Sequence, residues 1–485
     1  MTSDMYRFKT KPYAHQQEAW DTCKDKDEYA LFMEMGTGKS KVIIDNIAWL
    51  YDKGKIDSVV IVAPKGAYLN WSTKEIPEHM PEHVLAHVAV WAAQPRKKDK
   101  EALDKLRQSS LDLRILIINV EAFSTAKGYK FVDKFLTSCM STMMIVDEST
   151  TIKNPSARRT KNLIKLGNMT RYRRILTGEP VTRSPLDLYT QLQFLNSAIL
   201  GFSSYYSFRN RYAVMIDQKL GMRSFKKIVG YQRLTELSSA IGDYSYRCLK
   251  DQCLDLPAKT YQYRYVTLTP EQKKLYNQVS DFAIGDFEGE VISASNALVQ
   301  LLRLHQITCG NYTSDSGEYV SLPNNRIQEL VDVLDEAPSK VIIWATYIND
   351  LMHIKEAIIK KYGAESMVMY YGGINPKERP ENIKRFQEDP DCRFFVGNPQ
   401  TGGMGITLTA ANTVVYYSNS HNLEHRLQSE DRAHRIGQTK NVNYVDLVCP
   451  GTIDEKIIKA LRSKKQVAST VMNEQWRDWL GPVRN

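Results

Sequence analysis

Short apolar runs, interrupted only by Asn119 in the second, punctuate the chain at Val59–Ala63, Ile115–Val120, Met143–Val146, Val341–Ala345, Phe394–Val396 and Val414–Tyr417. Apolarity that does not alternate implies strands covered on both faces, as in a parallel sheet packed between helices. Tyr29–Met33 reads as a further strand, followed by a helix with apolar positions Ile43, Ile44, Ile47, Leu50 and Tyr51. The runs fall into two sets. Between them, from about Pro185 to Leu330, the periodicity is mostly helical. The pattern predicts an α/β protein with two parallel sheets and helical insertions between them. Gly310–Gly317 is turn-rich and is expected to be a surface loop.

Composition narrows the class. A chain of 485 residues allows roughly two to four domains at about 150 residues each. Apolar residues at 42% and charged residues at 25% are an ordinary globular mixture. The longest apolar runs are short beside the roughly 20 residues of a spanning helix, and the N-terminus has no signal-like apolar segment, so no membrane partner is expected. An intracellular protein is expected, cytoplasmic or nucleoid-associated. The 65 Lys+Arg against 55 Asp+Glu leave a formal +10, a mild pointer to a polyanion. Seven cysteines lie scattered without a C-x-x-C pair, and neither zinc nor a disulfide framework is expected from their spacing.

Three clusters carry chemistry. Glu34-Met35-Gly36-Thr37-Gly38-Lys39-Ser40 stands between the predicted strand and helix, the context of a phosphate-binding loop. Gly36, Thr37 and Gly38 would bring backbone N–H groups to ATP phosphates, Lys39 would reach the β/γ-phosphates, and Ser40 would ligate Mg²⁺. The first glycine of the strict pattern is Met33 here, and a glycine-rich turn capping a helix is the plainer alternative. Met143–Val146 delivers Asp147 and Glu148 to a strand end. There one carboxylate can hold the metal and the other can polarise the attacking water, although such pairs also cap helices. Gln428, Arg432 and Arg435 are spaced i, i+4, i+7 on an expected helix that stops at Gly437. Two guanidiniums on one face suit a γ-phosphate, or else pair with Glu430 and Asp431.

In order and content these motifs resemble the Swi/Snf-type ATPases of helicase superfamily two, which are double-stranded-DNA translocases. His15-Gln16-Gln17-Glu18-Ala19-Trp20 resembles the family's adenine-reading motif, with Gln16 as the glutamine. Val62-Ala63-Pro64-Lys65 through Asn70-Trp71 is similar to motif Ia, and Leu176-Thr177-Gly178-Glu179-Pro180 to motif III. Lys340–Trp344 is similar to motif IV, Thr401–Leu408 to motif V, and Arg432–Gln438 to motif VI. Leu256-Pro257-Ala258-Lys259 looks like the entry to the second motor domain. Departures are Ser149-Thr150 after the acidic pair, where Ala or Gly then His is usual, and Glu179 where Thr or Ser is common.

The resemblance implies two RecA-like lobes. Residues 1–255 would form lobe one, with a helical insertion at about 185–255. Residues 256–485 would form lobe two, with a helical entry segment at about 258–335 and a basic C-terminal brace helix around Lys456–Lys465. It implies ATP and Mg²⁺ as cofactors, with Ser40 and Asp147 as metal ligands and Gly405 at the nucleotide. Glu148 would be the base, assisted by Asp147, Gln428, Arg432 and Arg435. The expected function is ATP-driven movement on double-stranded or branched DNA, with fork remodelling or strand annealing as the alternative. A DNA-bound scaffold with a vestigial ATPase is the reading from another class. No protein partner is identified.

Charge clustering suggests where DNA would lie. Thr151–Arg174 holds eight basic residues and no acidic one, among them Arg158, Arg159 and Lys161. Arg209–Arg233 holds seven, including Lys226 and Lys227, against Asp217. Such runs suit sequence-independent phosphate contacts, or else are solvated faces. The motif resemblance adds Lys65 and Thr407 to the expected DNA contacts.

Overall fold

The computed structural model describes residues 6–108, 112–220, 223–289, 294–314, 318–402 and 405–474. Parts of the expected N-terminal segment (1–5), of the expected loop (315–317) and of motif V (403–404) lie outside the described residues. The chain divides into two compact units. One holds the chain through Val214, Val229–Asp255 and Val467–Gln475, and the other holds Met215–Ile228 and Leu256–Gln466.

Unit 1 contains β1 (Glu28–Met33), β2 (Ser58–Ala63), β3 (Ala86–Val90), β4 (Leu113–Asn119), β5 (Thr142–Asp147) and β6 (Tyr172–Leu176). After a two-stranded sheet of β7 (Ala213–Leu220) and β8 (Arg223–Tyr231), the short β9 (Ser245–Cys248) returns to it. The order is β3-β4-β2-β5-β6-β1-β9, with every neighbouring pair parallel. The interior strand β2 is buried along its whole length, as the unbroken apolar run Val59–Ala63 requires.

Unit 2 carries β10 (Lys259–Tyr265), the hairpin β11 (Asn311–Thr313) and β12 (Tyr319–Ser321), then β13 (Lys340–Trp344) and β14 (Met367–Tyr370). β15 (Phe394–Gly397), β16 (Ala411–Tyr416) and β17 (Val442–Val448) follow, and the parallel order is β10-β17-β16-β13-β15-β14. Each sheet has an apolar core, that of β13 packing Val341 and Ile343 against Leu351 and Ile354 of the helix Ile348–Tyr362. These are two RecA-like α/β units. Among the described residues no helix is long and apolar enough to cross a membrane.

The middle of the chain is less helical than its periodicity suggests. β7, β8 and β9 fall inside the expected insertion, and β10 falls at the start of the expected helical entry. In β10 the signal is Tyr261, Tyr263 and Tyr265 at period two, on an edge strand whose intervening positions are polar. The expected loop at 310–317 contains β11, paired with β12.

Candidate ATP site

In unit 1 three parallel strands that neighbour one another, β5, β6 and β1, end in the three candidate segments. β1 runs into the glycine loop, β5 ends at Asp147, and β6 ends just before Thr177-Gly178. Their shared direction brings these ends to one edge of the sheet, where ligands of open α/β sheets bind.

The loop is held from both sides. Gly38 has φ 89°, a left-handed conformation, and a Cβ there would lie 2.1 Å from Gln16 Nε2. Gln16 Oε1 accepts from Tyr13 N at 3.0 Å and its Nε2 donates to Thr37 O at 3.1 Å. Each amide end of Gln16 therefore retains one further hydrogen-bonding capacity. Lys39 Nζ donates to the carbonyls of Met33 (2.8 Å) and Glu34 (3.3 Å). The helix Lys39–Asp52 begins directly behind it. Gly178 lets motif III sit on the loop, since a Cβ would come within 3.1 Å of Met35 N.

Asp147 accepts from the Trp71 indole at 3.1 Å and from Glu148 N at 3.0 Å. Loss of hydration pushes its carboxyl upward, against the pull of the Lys39 charge and the Trp71 hydrogen bond. Glu148 has φ 48°, strained for a residue with a side chain, and its Oε2 accepts from Thr177 at 3.3 Å. Ser149 donates to Gln191 Oε1 at 2.6 Å, and Gln191 donates to Pro180 O at 2.8 Å. The unusual serine thus joins the acidic segment to motif III through a buried amide. Glu75, which the motifs did not single out, shares a hydrogen bond with the Ser40 hydroxyl, and burial raises its carboxyl. Ser40, Asp147 and Glu75 offer oxygen only, the donor set that suits Mg²⁺ rather than a soft metal.

Arg247 on β9 lies outside every motif. It donates to Phe32 O at 3.0 Å and Gly178 O at 2.6 Å, and its Nε pairs with Glu474 at 2.7 Å. It stands close enough to Glu179 for that carboxylate to stabilise its charge, giving the atypical motif III acid a counter-ion.

In unit 2 the helix carrying Gln428 is Leu423–Glu430, so Arg432 and Arg435 lie in turns beyond it and share no helix face with Gln428. They converge by another route. Arg432 and Arg435 each donate through one guanidinium nitrogen to Ile406 O, at 3.1 and 3.2 Å, and Arg432 Nε donates to Gln428 O at 2.8 Å. Ile406 lies between Gly405, which has φ 74°, and Thr407, which is half-buried. Glu430 takes the buried Arg426 at 2.8 Å, and Arg426 also binds Asp446 on β17. That ion cluster fixes the helix to the sheet.

Of the proposed DNA contacts, Lys65, Arg158, Lys161, Lys226 and Lys227 are exposed and Arg159 is half-buried. Four others of the Thr151–Arg174 run bind within the fold, while Lys165 is exposed. Arg173 pairs with Glu28 and Arg171 with Asp27, and Lys153 donates to Thr182. Arg174 is fully buried, donating to the carbonyls of Cys23, Lys26 and Asp27.

Residues 19–313 match the model of the SNF2-related domain, and 324–437 match the helicase conserved C-terminal domain. The chain belongs to the SNF2-related family. It is a helicase-like ATPase motor of superfamily two. An uncharacterized ATP-dependent helicase of Mycoplasma pneumoniae is 26% identical over 91% of the chain and 40% of its own length. The mouse DNA annealing helicase and endonuclease ZRANB3 is 28% identical over 91% and 38%. The yeast TATA-binding protein-associated factor MOT1 is 26% identical over 68% and 20%. The chain thus spans at most 40% of the length of these relatives. A solved SWI2/SNF2 ATPase core of Sulfolobus solfataricus in complex with dsDNA is 24% identical, with a TM-score of 0.45, over 97% of this chain and 95% of that one.

Proposed function

We propose that this motor uses ATP hydrolysis to move along double-stranded DNA inside the cell. The observation that carries the reading is the meeting of Lys39 and Asp147 at one sheet edge, with Glu148 held in a strained backbone beside Thr177. Glu148 takes the proton of the attacking water, and Lys39 holds the β/γ-phosphates. Gln16 reads the adenine with its remaining hydrogen-bonding capacity. Ser40 and Asp147 hold Mg²⁺, and Glu75 orients Ser40. Bound Mg²⁺ neutralises charge on the phosphates. Gly405 approaches the nucleotide, and Gln428, Arg432 and Arg435 serve the γ-phosphate as its charge spreads in the transition state.

DNA is held without sequence readout by Lys65, Arg158, Arg159, Lys161, Lys226, Lys227 and Thr407. The word "annealing" in the name of the mouse relative favours strand annealing or fork remodelling as the second reading. ATPase rates with no DNA, single strands, linear duplex and a branched junction separate the two. Linear duplex stimulating as well as the junction supports translocation, and stimulation by the junction alone supports remodelling. Stimulation by none of them removes both. In the same assay Arg435→Lys should lower turnover by about 10³-fold or more with ATP affinity nearly unchanged, because lysine lacks the planar fork.

A further inference from the structure

Among the described residues, one cluster of metal-ligating side chains lies outside the machinery described above. His15, Cys248 and Cys253 each offer a donor atom, and all three atoms lie within 4.8 Å of one another. They come from three elements of unit 1: the helix Ala14–Cys23, the end of β9 and the short helix Lys250–Cys253. His15 and Cys248 are buried, and Cys253 is half-buried. The spacing of the cysteines hid the cluster, because 248 and 253 form no C-x-x-C pair and the histidine is distant in sequence.

We propose that His15, Cys248 and Cys253 form a binding site for a thiophilic divalent cation, Zn²⁺ in the first instance, set against the glycine loop. The separation of the two sulfurs does not by itself decide between a metal and a disulfide. The sulfurs are 3.0 Å apart. A disulfide would need about 2.05 Å, and two thiolates on a tetrahedral zinc with bonds of about 2.3 Å stand roughly 3.8 Å apart, so either state asks for a shift of less than about 1 Å. The histidine breaks the tie, since a disulfide has no use for it and a metal does.

Its Nε2 lies 2.8 Å from Thr37 O. A carbonyl only accepts, so Nε2 carries the proton and Nδ1 keeps the lone pair. A ligand histidine fixed through its other ring nitrogen by a backbone carbonyl is the usual arrangement at zinc sites. Two thiolates and one imidazole select a soft or borderline ion and discriminate against Mg²⁺. Their two negative charges cancel those of the cation, so the filled site adds no net charge to a buried place. Three protein ligands leave one position for water.

The location gives the site a consequence. Thr37 O receives both His15 and the Gln16 amide, and Thr37 belongs to the loop that precedes Lys39. An ion there ties the glutamine-bearing helix to the last residues of unit 1 before the chain enters unit 2 at Leu256.

The test uses the reduced, metal-free full chain titrated with Co²⁺, which reports thiolate ligation by a charge-transfer band, followed by competition with Zn²⁺. Wild type and a Cys392→Ser control should bind one Co²⁺ with that band, and Zn²⁺ should bleach it. Cys248→Ser and Cys253→Ser should lose the band. His15→Asn should weaken binding by more than the roughly 10–100-fold that loss of an outer-shell partner costs. Melting by circular dichroism checks that each variant is folded, and Cys253→Ala is a second probe at the half-buried position. No band in wild type, or an equal band in folded Cys248→Ser, overturns the proposal. So does reduced wild-type protein that binds no Co²⁺ yet forms a Cys248–Cys253 disulfide on mild oxidation.

Discussion

The indole N–H of Trp71 donates to the carboxylate of Asp147 across 3.1 Å. Trp71 is itself buried, at 2% exposure, so this donor cannot turn to solvent. A hydrogen bond to a charged acceptor contributes about 1.5–3 kcal/mol. It opposes the desolvation that raises Asp147 and favours the charged form of the carboxyl, which a cation would need.

Trp71→Phe keeps the ring and removes the donor. Asp147 should then protonate more readily, and the acid limb of the pH profile of ATP turnover should move upward by about one to two units. Turnover near neutrality should fall while turnover at alkaline pH recovers. An acid limb that does not move would mean that Trp71 serves packing alone.

Glu148 offers a separation of function from stability. Its φ of 48° costs on the order of 1–3 kcal/mol for a residue with a Cβ. Glu148→Gln keeps the strain and loses the base, and should lower turnover about 10²-fold or more while ATP still binds. Glu148→Gly loses the base and the strain together, so it should be equally inactive yet melt higher than Glu148→Gln. Equal melting temperatures would show that the backbone there holds no strain.

What the sequence disclosed, and what it hid, follows from how each element meets its neighbours. Interior strands such as β2 and β13 face helices on both sides and spell themselves out as unbroken Val and Ile. The edge strands β9 and β10 do not. β9 reads Ser-Tyr-Arg-Cys and β10 alternates tyrosines with polar residues, so neither announces itself as apolar. The glycine loop and the acidic pair were legible because local chain geometry makes them. Arg247 and Glu75 were not, because their partners Gly178 and Ser40 come from distant segments. The convergence of Arg432 and Arg435 was expected through a helix face and arises instead through the carbonyl of Ile406.

The basic run of Thr151–Arg174 should split in two under mutation. Replacing Arg158, Arg159 and Lys161 by Ala should weaken duplex binding equally for all sequences. The log–log salt slope should flatten by roughly 0.9 for each DNA phosphate that is no longer neutralised, with folding intact. Arg174→Ala should do the reverse. It strands the carbonyls of Cys23, Lys26 and Asp27 and should cost stability on the order of 3 kcal/mol or more. Its DNA salt slope should remain that of wild type wherever the protein is folded. A triple variant with an unchanged slope would make the run a solvated face.

Unit 2 contains two buried groups whose titrations oppose each other. Burial lowers His305 to about 4, while Tyr347 bonds its Nδ1 and Asp454 and Arg326 stand nearby. Burial raises Asp350 to about 7, although Asn311 and Ser418 donate to it. As pH falls from the ordinary imidazole range towards 4, unfolding takes up a proton at His305, so that contribution to stability is lost. As pH falls through 7 towards the ordinary carboxylate range, folded Asp350 binds a proton that the unfolded chain still lacks, so stability is gained. Each contribution is on the order of 3–4 kcal/mol, and in the wild type they nearly cancel. His305→Gln should therefore leave unit 2 growing more stable as pH drops from 7 to 4, and Asp350→Asn should leave it growing less stable. Urea midpoints of unit 2, read by pulse proteolysis at each pH, would show these opposite tilts. Parallel curves for both variants would mean that neither group titrates differently on folding.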